Sequence, residues 1–168
     1  PENFKLLAKS WKDHHPDWEY FLWTDEDIES FPLVTRDQIK KTQNLGQRSD
    51  IFRLEVLNRF GGLYVDTDFL CIKPHDCFHR SADLYAGMEN STICNGLIGA
   101  KPNHPLIRMA LHRIAKLKYF DPDYRKIQES TGPKFFTRLV DQYVAKSKDQ
   151  TVIYPCKYFY PIHCHQRL

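Results

Sequence analysis

The stretch SDIFRLEVLNRFGGLYVDTDFLCIKP, residues 49–74, combines a helical pattern, two adjacent glycines and two closely spaced aspartates. Apolar side chains recur every three or four positions and predict a helix over residues 44–60. The glycines at 61–62 are expected to end it, because glycine readily adopts the left-handed conformation common at helix ends. The apolar triplet 63–65 then predicts a short strand that leads straight into the two aspartates.

Asp66 and Asp68 are separated by one residue, so a continuing strand would place both carboxylates on one face. Two like charges on one face repel unless they share a partner. Carboxylate oxygens are ligands that Mg²⁺ and Mn²⁺ prefer. The pair therefore predicts a divalent metal site, although a solvated turn is the commoner meaning of an isolated Asp-x-Asp.

The preceding helix carries a charged pair on the side that should face the core. Asp50 and Arg53 are three residues apart and share a face with Leu54 and Leu57. One interpretation is a simple surface ion pair, which contributes little to stability. The other places Asp50 on sugar hydroxyls and Arg53 on a phosphate, which the planar guanidinium suits. On that interpretation both meet the two aspartates at one edge of a sheet, where ligands bind in α/β proteins.

Along the whole chain, predicted strands alternate with predicted helices, which favours one α/β domain over residues 1–168. The helices are expected at 2–14, after the cap residue Thr24, in part of 31–43, at 44–60, at 104–119 and from 133 onward. The strands are expected at 18–23, 63–65, 69–72, 84–88, 96–100, 152–154 and 158–160.

Composition excludes several classes of protein. Hydrophobic residues make up 42% of the 168 residues, enough for a core, and the formal charge is only +3. The basic residues form no dense stripe, so we expect no nucleic-acid partner, and no apolar run is long enough to span a membrane. The five cysteines are expected to be free thiols, because their number is odd and none is spaced as CxxC. Zinc at residues 163–165 is the alternative, and it would lack a second ligand cluster.

The pattern Ser49-Asp50-x-x-Arg53, followed by Gly61-Gly62-x-Tyr64-x-Asp66-x-Asp68, resembles the DXD glycosyltransferases of the sugar-binding-region type. That group includes Och1-like mannosyltransferases and capsular polysaccharide synthesis proteins, with the glucosyltransferase domains of clostridial toxins as more distant relatives. Further segments resemble the same family, at 18–23, 95–100, 104–106, 131–133 and 159–161.

The resemblance implies a GT-A-like, Rossmann-like nucleotide-sugar-binding domain. The family's opening strand and its C-terminal segment have no counterpart in residues 1–168, so the domain resembles one clipped at both ends. The implied activity is metal-dependent transfer of a hexose, with retention, using Mn²⁺ or Mg²⁺. A UDP- or GDP-hexose would be the donor, and a glycan, lipid or protein the acceptor, as in polysaccharide biosynthesis.

Site residues follow from the resemblance by position. Asp68 resembles the direct metal ligand, and Asp66 a residue that contacts the donor and reaches the metal through water. Asp50 and Arg53 resemble the contacts to donor sugar and phosphate, which makes these four the predicted catalytic group.

Three more residues are predicted to bind the donor. Ser49 resembles a nucleotide contact, and Tyr64 resembles part of the site wall, with ordinary strand packing as its alternative. Asn95 is predicted to hydrogen-bond the donor or acceptor, with a turn asparagine as the alternative.

Two other functions remain open at this point. In a haloacid-dehalogenase-like phosphatase, Asp66 would be the nucleophile and Asp68 the acid/base. A clipped or degenerate domain would bind nucleotide sugar without turnover. The expected location is cytoplasmic, or the Golgi lumen or a membrane surface if the full-length protein carries an anchor.

Overall fold

The computed structural model describes residues 2–161. The helices in this part of the chain are α1 (Glu2–His14), α2 (Asp25–Ser30), α3 (Arg36–Lys41), α4 (Leu45–Phe60), α5 (Asp76–Ser81), α6 (Pro105–Ala115), α7 (Tyr124–Ser130), α8 (Pro133–Val144) and α9 (Cys156–Phe159). The strands are β1 (Gly62–Val65), β2 (Leu84–Glu89), β3 (Thr92–Ala100) and β4 (Thr151–Tyr154).

The four strands form one mixed sheet in the order β1-β3-β2-β4. β3 pairs antiparallel with both β1 and β2, whereas β4 runs parallel to β2. The α/β prediction is therefore confirmed. β3 is longer than the predicted strand at 96–100, because its first half forms a hairpin with β2.

Helix α4 is confirmed almost to the residue. Asn44 caps its first turn by accepting a hydrogen bond from the Gln47 N–H, 3.0 Å away. Gly61 ends it with a positive φ of 66°, and a Cβ there would come within 2.6 Å of Pro102. Thr24 likewise caps α2, and its hydroxyl and the Asp27 carboxylate complete a reciprocal capping box.

The predicted strand at 18–23 is wrong, because the segment has no strand partner among the described residues. It lies across a largely apolar groove of about 460 Å³ from β1, whose outer edge is also unpaired within residues 2–161. Its residues are strongly strand-forming, yet a strand needs a neighbour to satisfy its backbone groups.

Two further predicted strands are also wrong. Residues 69–72 are irregular because their backbone bonds to α1: the Trp11 indole donates to the Phe69 carbonyl, and the Cys71 N–H donates to the Ser10 hydroxyl, each at 2.9 Å. Residues 158–160 fall in and just after α9, in which the Tyr160 N–H donates to the Cys156 carbonyl. Helix α6 ends at Ala115 rather than at 119, and α5 and α7 had no sequence prediction.

The sheet has a buried cluster on each face. One cluster packs α4, α6 and α8 against the sheet and includes Ile51, Leu54, Leu57, Ile98, Ile107, Leu111, Phe136 and Leu139. The other includes Trp11, Tyr85, Leu97 and Tyr160. Neighbouring β3 residues Leu97 and Ile98 enter different clusters, as strand alternation requires. The packing of α4 on the sheet holds its N-terminal half beside the end of β1.

Within residues 2–161, no helix is long and apolar enough to cross a bilayer. Four cysteines, Cys71, Cys77, Cys94 and Cys156, are free thiols, as predicted. The fifth, Cys164, lies outside the described residues, as does the rest of the 163–165 segment considered for zinc.

Buried His75 is expected to make folding sensitive to acid. Its ring packs between Trp11 and Phe159, and its Nδ1 has no hydrogen-bond partner among the described residues. Burial lowers the pKa of His75 from 6.5 to about 4; the nearby His15 and His79 act in the same direction and Asp76 opposes them. The folded protein therefore keeps this ring neutral at pH values at which the unfolded chain binds a proton.

The free energy of unfolding should consequently fall as the pH drops from 6.5 towards 4, by at most about 1.4 kcal/mol per pH unit from this group. Urea denaturation of wild type and His75→Gln across this range isolates the contribution, because other titrating groups are common to both proteins. We expect a shallower pH dependence in the variant. Parallel curves would contradict the prediction.

Candidate active site

Asp66 and Asp68 lie in a turn that begins where β1 ends. The Asp66 N–H donates to the Gly96 carbonyl at 2.8 Å, one residue beyond the β1–β3 pairing. The Phe69 N–H then donates to the Asp66 carbonyl at 3.2 Å, which closes the turn. The expectation that strand alternation aligns the two carboxylates is therefore wrong. The turn instead directs a half-buried Asp66 and an exposed Asp68 to one cavity.

Arg53 joins this turn to helix α4. Arg53 is only 4% exposed, and its guanidinium lies 3.1 Å from an Asp50 oxygen and 3.2 Å from Asp66 Oδ1. It also donates to the backbone carbonyls of Ser49 and Asn95. The alternative of a simple surface ion pair is wrong, because Asp50 and Arg53 are buried and hold two structural elements together.

Asp50 is held by three elements. Besides Arg53, its carboxylate accepts hydrogen bonds from the Asn95 side-chain amide at 2.9 Å and the Thr131 hydroxyl at 3.2 Å. Asn95 belongs to β3 and Thr131 follows α7, so one buried carboxylate fixes the relative positions of α4, β3 and α7. Burial raises the pKa of Asp50, and these partners oppose that increase by stabilising its charge.

Ser49 and Tyr64 support Asp66 through a chain of hydrogen bonds. The two hydroxyls are 2.9 Å apart, and the Tyr64 hydroxyl donates to Asp66 Oδ1 at 3.1 Å. The Tyr64 ring also lies beneath the Arg53 guanidinium, whose carbon is 4.7 Å from the ring centre. The contact between Tyr64 and Asp66 was predictable from strand alternation, because residues two positions apart in a strand lie on the same face.

The cavity has a volume of about 340 Å³ and brings together five of the seven predicted site residues. Its lining includes Asp50, Arg53, Asp66, Asp68 and Asn95. Ser49 is not part of this lining, and neither is Tyr64, which faces the apolar groove beside β1.

Sequence reasoning missed part of the site. Thr131 was noted only as part of a family-like segment, and no local pattern links it to Asp50, 81 positions away. Gly96 was also missed as a site residue. A Cβ at Gly96 would lie 2.8 Å from Asp66 Oδ2, so glycine leaves room for that oxygen. The glycine at position 96 could have indicated this close approach, since glycine is common where another group comes near the backbone.

The residues present suit a hard divalent cation. Asp66 Oδ2 and both Asp68 oxygens take part in no hydrogen bond or ion pair within residues 2–161. Burial raises the pKa of Asp66, and Asp68 adds to the increase, so a shared cation would relieve an unfavourable pair. The same residues contain no preformed group of three or more His, Cys, Asp or Glu ligands. Two carboxylates are enough for Mg²⁺ or Mn²⁺ when substrate phosphates complete the coordination.

Two curated proteins of similar sequence have names that describe the transfer of mannose. Mannosyl phosphorylinositol ceramide synthase SUR1 of Saccharomyces cerevisiae is 28% identical over 98% of this chain and 45% of its own length. Inositol phosphoceramide mannosyltransferase 2 of Schizosaccharomyces pombe is 31% identical over 85% of this chain and 43% of its own. The chain thus spans about half the length of the curated relatives it matches.

Among solved structures, the PaToxG glycosyltransferase superposes with a TM-score of 0.62, covering 84% of this chain and 62% of that one. At 18% identity this likeness shows the fold alone, which is of the GT-A type as predicted. The sequence model of the family described as "Glycosyltransferase sugar-binding region containing DXD motif" matches residues 1–85 of the 168. The chain therefore belongs to the DXD-containing glycosyltransferase sugar-binding family.

Proposed function

We propose that this protein transfers a mannosyl residue, with retention, from a nucleotide-diphosphate sugar to an inositol phosphoceramide-like lipid. One observation carries the proposal: Arg53 links Asp50 of α4 to Asp66 of the Asp-x-Asp turn at a single cavity. The sugar and the acceptor class come from relatives whose names describe mannosyl transfer to inositol phosphoceramide.

Asp66 and Asp68 are the residues that would hold Mn²⁺ or Mg²⁺ in this proposal. A bound cation would neutralise the diphosphate of the donor and so stabilise the leaving group. Asp66 is oriented for this role before any ligand binds, because Arg53 and Tyr64 hold its Oδ1 and leave Oδ2 towards the space beside Gly96. A preoriented ligand avoids part of the cost of ordering on binding.

Asp50 and Asn95 would position the donor hexose. Both line the cavity, and they are hydrogen-bonded to one another at 2.9 Å. The Asn95 amide N–H groups are already donated to Asp50 and to the Thr131 carbonyl, so the pair offers a carboxylate and an amide oxygen as acceptors for sugar hydroxyls. In this proposal Arg53 would contact the phosphate end of the donor, and its ion pairs with Asp50 and Asp66 would also position the two carboxylates.

Calorimetry on the intact protein tests the proposal. UDP and GDP are titrated with and without Mn²⁺, and mannosyl transfer to inositol phosphoceramide is then measured with the nucleotide sugar whose nucleotide binds. We expect one nucleotide to bind only when metal is present, and the product to keep the anomeric configuration of the donor. No binding of either nucleotide would contradict the proposal.

The same experiment, with an assay of phosphomonoester hydrolysis beside it, separates the remaining alternatives. Metal-dependent nucleotide binding without transfer would identify a binding domain without turnover. Phosphate release from a phosphomonoester, through an aspartyl-phosphate, would identify a phosphatase. Membership of the DXD family argues against the phosphatase, and so does the position of Asp66 after an edge strand with an antiparallel neighbour.

A further inference from the structure

We propose that an uncharged wall of the same cavity, formed by Tyr124, Ile127 and Gln128 of α7, binds the polyhydroxylated ring of the acceptor. This inference rests on the proposed function and assigns the acceptor side of its site. The three residues occupy positions i, i+3 and i+4 of α7, so they share one helix face, and all three line the cavity.

The α7 wall is attached to Asp50, one of the carboxylates of the proposed site, and to two neighbouring side chains. Thr131, the residue that follows α7, donates its hydroxyl to Asp50 at 3.2 Å, and its carbonyl accepts from the Asn95 amide at 3.3 Å. The Ser130 hydroxyl accepts a further hydrogen bond from the Gln47 side chain of α4 at 3.3 Å. Because the helix is tied at this end, its cavity-facing side chains keep a defined position relative to Asp50.

Two side chains on this wall have unused binding capacity. Gln128 is half-buried and its amide makes no hydrogen bond within residues 2–161. Tyr124 is 73% exposed and has neither a hydrogen-bond partner nor a ring neighbour in the same part of the chain. Ile127, by contrast, is only 6% exposed and anchors the helix. The unpaired amide of Gln128 and the exposed ring of Tyr124 together suit a cyclic polyol. Its hydroxyls can hydrogen-bond to the amide, and its C–H groups can pack on the ring.

The charge distribution assigns this wall to the acceptor rather than the donor. An anionic diphosphate would bind at the Asp-x-Asp turn once a cation is held there, whereas the α7 wall adds no charge to the cavity. The exposure of Tyr124 also places its ring at the mouth of the cavity. A headgroup attached to a lipid must enter through that mouth, because the lipid itself cannot fit inside.

The test uses the intact protein with inositol phosphoceramide in detergent micelles as the acceptor probe. We expect Tyr124→Ala and Gln128→Ala each to raise the acceptor KM about fivefold to tenfold, as loss of one stacking contact or one hydrogen bond implies. Metal-dependent nucleotide binding, measured by calorimetry, should not change. Tyr124→Phe should keep most of the affinity, since the stacking ring remains.

Tyr119→Ala is the matched control, because Tyr119 is equally exposed at 74% and does not line the cavity. An unchanged acceptor KM in both α7 variants, or the same increase in the control, would overturn the inference while leaving the proposed function intact. A wild-type protein that binds no nucleotide would overturn the proposed function and this inference with it. Melting temperatures should be equal across the set, because the altered side chains are exposed or only half-buried.

Discussion

Asp68→Ala is expected to reduce the proposed mannosyl transfer by roughly a thousandfold, since a metal held by Asp68 against the diphosphate would lower the barrier by several kcal/mol. Asp68 is exposed and makes no hydrogen bond or ion pair within residues 2–161. Removing its carboxylate should therefore leave the free energy of unfolding almost unchanged. The measurement is a transfer assay at saturating Mn²⁺ together with urea denaturation of each protein.

Thr67→Ala is the control for this variant. Thr67 is the exposed residue between the two aspartates, so its substitution disturbs the same turn without removing a carboxylate. We expect Thr67→Ala to transfer mannose within a few-fold of wild type. Equal losses in the two variants would show that the integrity of the turn, rather than the Asp68 carboxylate, limits activity.

Arg53→Met is expected to lower the free energy of unfolding by about 3–5 kcal/mol, which for a chain of this size corresponds to roughly 10 °C in melting temperature. The reason is electrostatic. Arg53 is 4% exposed, and its guanidinium pairs with Asp50 and Asp66 at 3.1 and 3.2 Å. Its removal leaves two neighbouring carboxylates without their shared countercharge, while methionine fills much of the same volume.

Arg48→Met, on the same helix, provides the matched control. Arg48 pairs at 3.5 Å with Asp25, whose side chain is 72% exposed, and such surface pairs contribute about 1 kcal/mol or less. Urea denaturation at neutral pH should therefore separate the two variants clearly. If both lose the same stability, the buried network around Arg53 does not hold the site together as argued.

Several elements were predictable because their causes are local. Helix α4 follows from its apolar repeat, its Asn44 cap and the glycine that ends it, all within adjacent residues. The burial of Asp50 and Arg53 on the face of Leu54 and Leu57 follows from the same helical period. The Asp-x-Asp motif and its resemblance to a family were also readable from one continuous stretch.

Two of the three wrong strand predictions share a physical cause. Residues 18–23 and 69–72 have side chains suited to strands, but a strand forms only where a neighbouring backbone pairs with it. Within residues 2–161 the first segment faces a groove, and the second bonds to Ser10 and Trp11 of α1. Neither the groove nor the bonds to α1 can be predicted from the residues of the segment itself.

The sequence by itself determined the helix α4, the strand β1 and the residue types of a carboxylate site with an arginine, because these depend on neighbours a few positions away. The tertiary structure alone decided that Arg53 joins Asp50 to Asp66, that Thr131 ties α7 to Asp50, and that Gly96 leaves room for an Asp66 oxygen. Apart from the local Arg53–Asp50 pair, which is three residues apart, these contacts join residues from 13 to 81 positions apart. They depend on how α4 and α7 pack against the sheet, and no periodicity along the chain encodes that packing.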